Sequence, residues 1–395
     1  MRILFINDHK ILGGKEKYLA STRRALRDAG HVTALIHSVR PNRKAIEDDE
    51  ISFCIPGIDT YRETRSTLDR LRECIGLFKP DVIHINHNVA NLVVVSWLLR
   101  HFPSLRSVHD VEFLCPTRHF VRKNTNAQCD ARCGRICFSS SCLSITSPSG
   151  WYRLVRTRTA QWMYSRWSKL NTQSEYVRKN LREVIGRQKA VSMFPVFIEG
   201  TADMQAMARS GAHFVFVGRL NSWKGPQLAI EALARLPDRA TLEIIGTGNQ
   251  EPELRILVRS LNLESRVKFA GFLEGKELSS RFLEANAVVL PSIVPENCPM
   301  SIQEAMATGR AVISTTVGGI PDLVKDGVSG LLVPPNDVRA LARAMQLLID
   351  DPQLCQTLGS NGRQEIGKQQ YQRDYHIQQL LEEYDSRIRH FTKRQ

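Results

Sequence analysis

The sequence has no apolar run long enough to cross a bilayer and no recognisable export signal. Its most apolar stretch, VVVSWLL at residues 93–99, is far shorter than the roughly 18 residues that a membrane helix requires. The first residues, MRILFIND, lack the charged, apolar and small-residue order of a signal peptide and instead predict a buried strand. We therefore expect a cytoplasmic protein.

Several signatures of cofactor and metal sites are missing as well. No G-x-G-x-x-G or P-loop lysine follows a predicted strand, which disfavours a nicotinamide oxidoreductase and a P-loop enzyme. No D-x-D stands in a loop behind a strand to hold a divalent cation. A departing phosphate group would then need side-chain cations in place of a metal ion.

The chain instead has an ordinary globular composition with an uneven distribution of charge. Its 395 residues, 42% hydrophobic and 24% charged, predict two domains with separate cores. Residues 1–195 hold 32 Lys and Arg against 17 Asp and Glu, whereas 196–395 hold 22 against 23, so the net charge of +14 divides into +15 and −1. The N-terminal half is expected to face a nucleic acid or an acidic membrane, with a solvated basic surface as the alternative.

Both halves open with the same order of strand, loop, helix and strand. The first half reads as strand 2–6, a loop with Gly13 and Gly14, helix 15–29 and strand 32–36. The second reads as strand 213–217, loop 218–225, helix 226–236 and strand 241–245, and continues with strands 267–271, 287–291, 311–315 and 330–333 and with helices 275–284 and 301–308. This order predicts two doubly wound parallel sheets in an α/β protein, with ligands bound beyond the carboxyl ends of the strands.

The predicted domains are Rossmann-like and cover residues 1–195 and 196–370, with a cysteine-rich insertion near 115–142. If the two domains face each other across a cleft, both sets of loops surround one ligand. A final segment, 371–395, places its apolar residues on one helical face. We expect it to pack back across the domains.

Two acids, Glu296 and Glu304, stand in the stretch PENCPMSIQEAMATGRAVIS at 295–314. Glu304 follows Ser301 by three residues, which fits a capping box with Ser301 as the N-cap. The same helix start could bind a phosphate through free amides while Glu304 accepts from a pair of vicinal hydroxyls. Glu296 lies in a loop after a strand, a position typical of ligand contact.

Two cations, Arg219 and Lys224, lie in the loop after the first strand of the second half. A guanidinium fork and an ammonium could together hold a diphosphate, and surface solvation is the alternative. The Gly13 and Gly14 pair would let backbone amides approach an anion, and a tight turn without a ligand is the alternative.

The sequence resembles the retaining glycosyltransferases of family 4 with the GT-B fold, over essentially the whole chain. The marks are the two glutamates eight positions apart, the EAMATGRAVI that contains the second, VGGIPDLV at 317–324 and the G-R…K-G loop at 218–225. The resemblance implies a metal-independent transferase of the hexosyltransferase type that moves sugar from a nucleotide-diphosphate sugar to a saccharide or lipid-linked acceptor. Bacterial capsule, lipopolysaccharide and exopolysaccharide enzymes are similar.

The resemblance also implies roles for individual residues. It places the acceptor in the N-terminal domain and the nucleotide sugar, a UDP- or GDP-sugar, in the C-terminal domain. The implied catalytic residues are His109, Glu296, Arg219 and Lys224. The implied donor-binding residues are Gly13, Gly14, Arg219, Lys224, Gly246, Met300, Ser301, Ile302 and Glu304.

In detail, the resemblance implies that Arg219 and Lys224 hold the diphosphate. Glu304 would bind the ribose hydroxyls, and Glu296 and His109 would contact the sugar. This chain departs from the commonest family pattern, glycine, aromatic and glycine after the first glutamate. It has Asn297, Cys298 and Pro299 there, as related surface-polysaccharide enzymes do, so the sugar stays open.

Cysteines cluster in residues 115–142, and Cys129, Cys133, Cys137 and Cys142 have spacings close to those of structural zinc sites. Disulfides are rare in the cytosol, so a zinc site and free thiols are the two interpretations. No cofactor is expected for catalysis itself.

The segment 151–169 interleaves three tryptophans and two tyrosines with arginines. It suits the headgroup region of an anionic membrane and predicts a peripheral enzyme at the inner face of the cytoplasmic membrane, while packing on the N-terminal sheet is the alternative.

Two other functions compete with glycosyl transfer. A nucleotide-sugar epimerase or hydrolase could share the two-domain plan and would release sugar without an acceptor. A nucleic-acid-binding protein would use the basic half but leaves the Glu296 and Glu304 loop without a role, so no nucleic acid partner is expected.

Overall fold

The computed structural model describes residues 1–7, 14–38, 51–56, 58, 65–86, 92–109, 114–117, 129, 135–144, 146–167, 169–186, 190–198 and 212–393. Two compact units contain these residues. The first unit holds the described residues up to Phe197 and those from Arg373 onward, and the second holds those of Ile198–Gln372.

The first unit is built on a seven-stranded parallel sheet. Its strands are β1 (Arg2–Ile6), β2 (Val32–His37), β3 (Ile51–Cys54), β4 (Val82–Ile85), β5 (Ser104–Val108), β6 (Lys169–Thr172) and β7 (Ala190–Met193). They lie in the order β3-β2-β1-β4-β5-β6-β7. The order therefore reverses between β1 and β4, where doubly wound sheets open a crevice for ligands.

Helices cover this sheet, and the last helix of the chain is one of them. The helices of the first unit are α1 (Gly14–Asp28), α2 (Arg65–Phe78), α3 (Leu92–His101), α4 (Ile136–Ser139), α5 (Pro148–Arg166), α6 (Glu175–Ile185) and α14 (Arg373–Thr392). Ile377, Leu380 and Tyr384 of α14 are buried in one cluster with Ile3 and Phe5 of β1. The C-terminal helix thus completes the core of the N-terminal sheet.

The second unit is a six-stranded parallel sheet with helices between its strands. The strands are β8 (His213–Val217), β9 (Thr241–Ile245), β10 (Val267–Gly271), β11 (Ala287–Leu290), β12 (Ala311–Thr315) and β13 (Leu331–Val333). The helices are α7 (Pro226–Leu233), α8 (Glu251–Ser260), α9 (Gly275–Glu284), α10 (Met300–Ala307), α11 (Ile320–Leu323), α12 (Val338–Asp350) and α13 (Pro352–Ile366). The strand order β10-β9-β8-β11-β12-β13 reverses between β8 and β11.

The predicted fold class, two doubly wound parallel sheets, is confirmed. Strands β8, β9, β10 and β12 have the predicted bounds, because each is a mainly apolar run between turn residues. The helix predicted at 226–236 ends earlier, at Leu233. No helix among the described residues is both long enough and apolar enough to span a bilayer.

Candidate functional site

The loops after β8 and β11 meet at the point where the strand order of the second sheet reverses. Lys224 ends a short 3-10 turn, Ser222–Lys224, in the first loop, and Glu296 lies in the second. The Nζ atom of Lys224 lies 2.6 Å from Oε1 of Glu296, with both side chains largely buried. Two residues of the predicted catalytic set therefore form one ion pair at the ligand-binding edge of the sheet.

Neighbouring groups hold this ion pair in place. The hydroxyl of Ser292, which is fully buried, donates to the same Oε1 atom of Glu296 at 2.9 Å. The side-chain oxygen of Asn221 accepts from the backbone N–H of Lys224 at 3.2 Å. The amide of Ile293 donates to the carbonyl of Trp223 at 2.7 Å and so joins the two loops directly.

Glycines allow the surrounding loops to approach closely. Gly225 has φ +77°, and a Cβ atom there would lie 2.1 Å from the carbonyl oxygen of Pro291. Gly246 has φ +135°, and its Cβ would lie 1.9 Å from the carbonyl oxygen of Gly218. A side chain at Gly225 would force apart the loops that carry Lys224 and Glu296, and a side chain at Gly246 would force apart the loops after β8 and β9. The predicted donor-binding residue Gly246 thus has at least a structural function.

The loop after β12 supports the backbone of Glu296. The amide of Gly319 donates to the carbonyl of Glu296 at 2.7 Å. Gly318 has φ +62°, and a Cβ there would lie 2.2 Å from that same carbonyl oxygen. The glycine pair of VGGIPDLV therefore positions the first glutamate.

Helix α10 corrects the interpretation of Ser301 as an N-cap. The helix begins at Met300, its N-cap is Pro299, and no side chain caps it. The fixed φ of Pro299 and its lack of an N–H make it well suited to stand at the helix start, so Ser301 falls inside the first turn and cannot form the predicted capping box with Glu304.

The predicted amides of helix α10 differ in their surroundings. The amide of Ile302 donates to the carbonyl of Pro299 at 3.1 Å. Met300 and Ser301 are the first two residues of the helix, so their amides have no carbonyl of a preceding helical turn to bind. Glu304 follows one turn later and is partly exposed. This helix start can present amides and a carboxylate to one ligand.

Arg219 lies in the same loop as Lys224 but in a different environment. Its side chain is exposed and forms no hydrogen bond or ion pair with another described residue. The amide of the next residue, Leu220, donates to the carbonyl of Thr247 at 3.0 Å, which ties this loop to the one after β9. Arg219 is thus an exposed cation on a fixed backbone.

His109 lies at the carboxyl end of β5 in the first unit. Its Nε2 donates to the side-chain oxygen of Asn86, which follows β4 and is fully buried, at 2.6 Å. The ring of Tyr18 lies 5.3 Å from the ring of His109. Gly14 is the first residue of α1, and Gly13 lies outside the described residues. The structure therefore places His109 at the ligand-binding edge of the first sheet.

The predicted zinc ligands are only partly described. Cys129, Cys137 and Cys142 form no disulfide with another described cysteine, and Cys133 lies outside the described residues. Within the part of the chain that is described, no three His, Cys, Asp or Glu side chains are placed to hold a metal ion. The zinc site stays a prediction.

The aromatic residues of segment 151–169 divide into two sets. Tyr164 and Trp167 are buried, and the guanidinium of Arg106 lies 4.2 Å from the ring centroid of Tyr164. Trp151, Tyr152 and Trp162 are exposed. Packing on the sheet accounts for the first set, while the second set faces outward.

Three supporting residues were missed by sequence reasoning. Ser292 and Asn86 each stand just past the end of a buried strand, and Asn221 lies within the G-R…K-G loop. A polar residue at the carboxyl end of a strand was the available signal, because ligand sites of parallel sheets form there.

Comparisons with known families cover most of the chain. Residues 12–198 match the family Glycosyltransferase Family 4, and residues 207–365 match Glycosyl transferases group 1. The boundary between these matches falls close to the boundary between the two compact units.

Curated relatives match over a shorter region. The amylovoran biosynthesis glycosyltransferase AmsK of Erwinia amylovora is 37% identical over 134 residues, which are 32% of this chain and 33% of the relative. Alpha-D-kanosaminyltransferase of Streptomyces kanamyceticus is 33% identical over 150 residues, 37% of this chain and 39% of the relative. The alignments thus span little more than a third of the length of these relatives.

Solved structures match along nearly the whole chain. HepE of Anabaena, solved in complex with UDP, has a TM-score of 0.76 at 21% identity and covers 98% of this chain and 100% of its own. Sucrose-phosphate synthase of Thermosynechococcus elongatus has a TM-score of 0.73 at 21% identity and covers 98% of both chains. The fold is that of the GT-B glycosyltransferases, and the chain belongs to the glycosyltransferases that combine a family 4 domain with a group 1 domain.

Proposed function

We propose that the protein is a retaining glycosyltransferase that transfers a sugar from a nucleotide-diphosphate sugar to a saccharide or lipid-linked acceptor in surface-polysaccharide biosynthesis. The observation that carries this proposal is the contact between Lys224 and Glu296 at the edge of the second sheet. An ammonium and a carboxylate side by side can bind the two ends of such a donor, the diphosphate and the sugar hydroxyls.

Charge is the main contribution that this site makes to the reaction. The bond between the sugar C1 and the diphosphate oxygen breaks, and negative charge grows on the leaving group. Lys224, Arg219 and the amides at the start of α10 stabilise that charge, so we propose that no divalent cation is required. Glu296 and His109 orient the sugar, and Glu304 accepts from the ribose hydroxyls.

The anomeric configuration of the sugar is retained if the acceptor oxygen attacks C1 from the same face that the diphosphate leaves. The acceptor proton then passes to the departing phosphate oxygen, and the protein supplies placement and electrostatic stabilisation. We propose a UDP-sugar or GDP-sugar as donor. Support for a uridine nucleotide comes from HepE, which was solved with UDP and with UDP-glucose.

Product analysis tests the proposal against its rivals. The protein is incubated with UDP- and GDP-sugars, with and without a saccharide acceptor, in the presence of a chelator. We expect a glycoside that keeps the anomeric configuration of the donor, with nucleotide release that depends on acceptor. Free sugar formed at the same rate without acceptor indicates a hydrolase, and a changed nucleotide sugar indicates an epimerase.

We also propose that the enzyme acts at the inner face of the cytoplasmic membrane, as a peripheral protein. A lipid-linked acceptor would lie there, and the exposed aromatic residues of α5 support contact with that surface.

A further inference from the structure

Helix α5 presents one outward stripe that contains both apolar side chains and arginines. The stripe consists of Trp151, Val155, Arg158, Trp162 and Arg166. These positions are spaced by four, three, four and four residues, which keeps them within an arc of about 80° on a helix of 100° per residue. We call this set the α5 stripe.

The α5 stripe is exposed along its whole length. Trp151 is 47% exposed, Val155 58% and Trp162 52%, and both arginines are exposed as well. The neighbouring Tyr152 adds a further exposed ring. The opposite side of the helix is buried through Thr157, Met163 and Tyr164. The helix is therefore fixed on the protein by one face while the other presents apolar and basic groups together.

Packing at its first turn holds the helix in position. Gly150 lies so close to the preceding loop that a Cβ would be 2.6 Å from the carbonyl oxygen of Ser144. The ring of Trp151 lies 5.2 Å from the ring of Phe138. Leu154 packs on the small buried cluster of Cys137 and Leu143. The stripe is thus a rigid surface, so little ordering is needed when it binds a partner.

The stretch of chain that contains the stripe carries charge of one sign. Between Asp130 and Glu175 the chain has no Asp or Glu, whereas it has six Arg and one Lys. Arg166 also lies over the ring of Trp162, with 4.7 Å between its guanidinium carbon and the ring centroid. Such a surface attracts anionic lipid headgroups through its arginines. Its tryptophans suit the boundary between headgroups and acyl chains.

We propose that the α5 stripe docks the protein on the surface of an anionic phospholipid bilayer. Arginines at two positions bind lipid phosphates while Val155 and the tryptophans enter the interface. A nucleic acid is the less suitable partner, because the exposed valine in the middle of the stripe can form neither a hydrogen bond nor an ion pair with a phosphate backbone. The surface serves the proposed transfer to a lipid-linked acceptor, but its docking requires neither donor nor acceptor.

Vesicle flotation of the full chain tests the proposal. The protein is mixed with vesicles of phosphatidylcholine alone or with an equal part of phosphatidylglycerol, at about 50 mM and about 500 mM salt. We expect flotation with the anionic vesicles at low salt, weaker flotation at high salt and none with the neutral vesicles. Absence of flotation with anionic vesicles at low salt overturns the proposal.

Two pairs of substitutions assign the binding to the stripe. Arg158→Glu with Arg166→Glu should weaken binding to anionic vesicles at least about twentyfold, since each basic residue near such a surface contributes about fivefold. Val155→Ser with Trp162→Ala should weaken it about tenfold by removing apolar contact with the interface. Binding that survives either pair unchanged overturns the assignment.

Matched controls come from exposed residues of the second unit. Arg259→Glu with Arg343→Glu changes the net charge equally, and Ile256→Ser with Phe272→Ala removes side chains of similar exposure. Both control pairs should bind like the wild type. Equal loss in a stripe pair and its control pair would show that binding is not specific to α5.

Further measurements distinguish membrane docking from binding of a nucleic acid and from loss of folding. Tight binding of a DNA duplex that the arginine pair abolishes and the Val155 and Trp162 pair leaves intact would overturn the proposal in favour of a nucleic acid partner. Circular dichroism of all variants checks folding. Transfer to a soluble acceptor is unaffected if the docking surface alone fails, and vesicle binding persists if only the proposed transferase activity is wrong.

Discussion

At the scale of single residues, the site depends on pairs of side chains that the sequence keeps far apart. Lys224 and Glu296 lie in loops after different strands, and Ser292 supports their contact from the end of β11. The sequence predicts which loops carry these residues, since both follow apolar strands. It does not show that the two side chains bind each other, because that depends on strand order.

The first prediction concerns the effect of the cations Lys224 and Arg219 on the turnover rate. Lys224→Ala and Arg219→Ala should each lower turnover by about 10²–10³, the usual effect of removing one group that stabilises charge in the transition state. Steady-state kinetics with a matched donor and acceptor measure the effect. Arg259→Ala, at an exposed position of α8, is the control and should keep wild-type turnover. Near-normal turnover in both site variants would remove the assignment.

A second prediction at this scale concerns backbone space. Gly246→Ala should destabilise the second unit by several kcal/mol, since the added Cβ meets the carbonyl oxygen of Gly218 and the φ of +135° strains a side chain. Gly271→Ala, with φ +71° and open space around its Cβ, should cost only about 1 kcal/mol. Urea denaturation compares the two midpoints. Equal midpoints would contradict the close approach of the two loops.

Residue-level errors of the sequence analysis have physical causes. Ser301 satisfied the spacing of a capping box, but Pro299 precedes the helix and Met300 begins it. Asn86 belongs to no recognisable sequence motif. Its hydrogen bond with His109 forms only because β4 and β5 are neighbours in the sheet. Residue spacing along the chain cannot supply such neighbours.

At the scale of elements, the last helix depends on two buried histidines. His376 of α14 donates from Nδ1 to the carbonyl of Pro195 at 3.0 Å, and its Nε2 accepts from the hydroxyl of Tyr18 at 3.0 Å. His84 of β4 bonds the hydroxyl of Tyr384 of α14 at 2.6 Å. Burial lowers the pKa of His376 to about 4, against a smaller opposing effect of its backbone hydrogen bond. Burial, and secondarily His376, lower the pKa of His84 to about 3.

These pKa shifts predict acid sensitivity of the first unit. Because both folded-state values lie below the unfolded value of 6.5, the unfolded chain takes up protons first as the pH falls. The stabilisation is fully present above pH 6.5 and is lost as the pH falls from there toward about 4 and about 3. Each histidine should remove roughly 2 kcal/mol of stability by about pH 5.

Urea titrations at about pH 7 and about pH 5 measure this loss in the free energy of unfolding. His376→Gln, which keeps a donor and an acceptor but does not titrate, should reduce the difference between the two pH values by about half. A wild-type free energy of unfolding that is the same at both pH values would contradict the predicted role of these histidines.

The cysteine-bearing segment gives a prediction about metal content. If Cys129, Cys133, Cys137 and Cys142 form a structural zinc site, the purified protein should contain about one equivalent of zinc. Cys133→Ser should lose that metal, while Cys355→Ser, in the second unit, should keep it. Less than about a tenth of an equivalent in the wild type favours free thiols instead.

At the scale of the whole molecule, the sequence was most informative about architecture. Apolar runs such as those of β8 and β12, each followed by a turn and an amphipathic helix, repeat along both halves, and this pattern is specific for doubly wound sheets. The apolar face of α14 predicted that this helix packs back across the domains, but its position on the first sheet against Ile3 and Phe5 could not be read from residue spacing. The periodicity of a helix shows which of its faces is apolar. It does not show which element covers that face, because this depends on the tertiary fold.

The central claim is that the loops after β8 and β11, with the start of α10, bind a nucleotide-diphosphate sugar. Calorimetric titration of UDP- and GDP-sugars into the wild type, Lys224→Ala, Glu304→Gln and the control Arg259→Ala tests it most directly. We expect one donor to bind the wild type and the control alike, with affinity lowered about tenfold or more in both site variants, since each removes a charged hydrogen-bonding group. Binding of no donor, or equal affinity in all four proteins, would contradict the account.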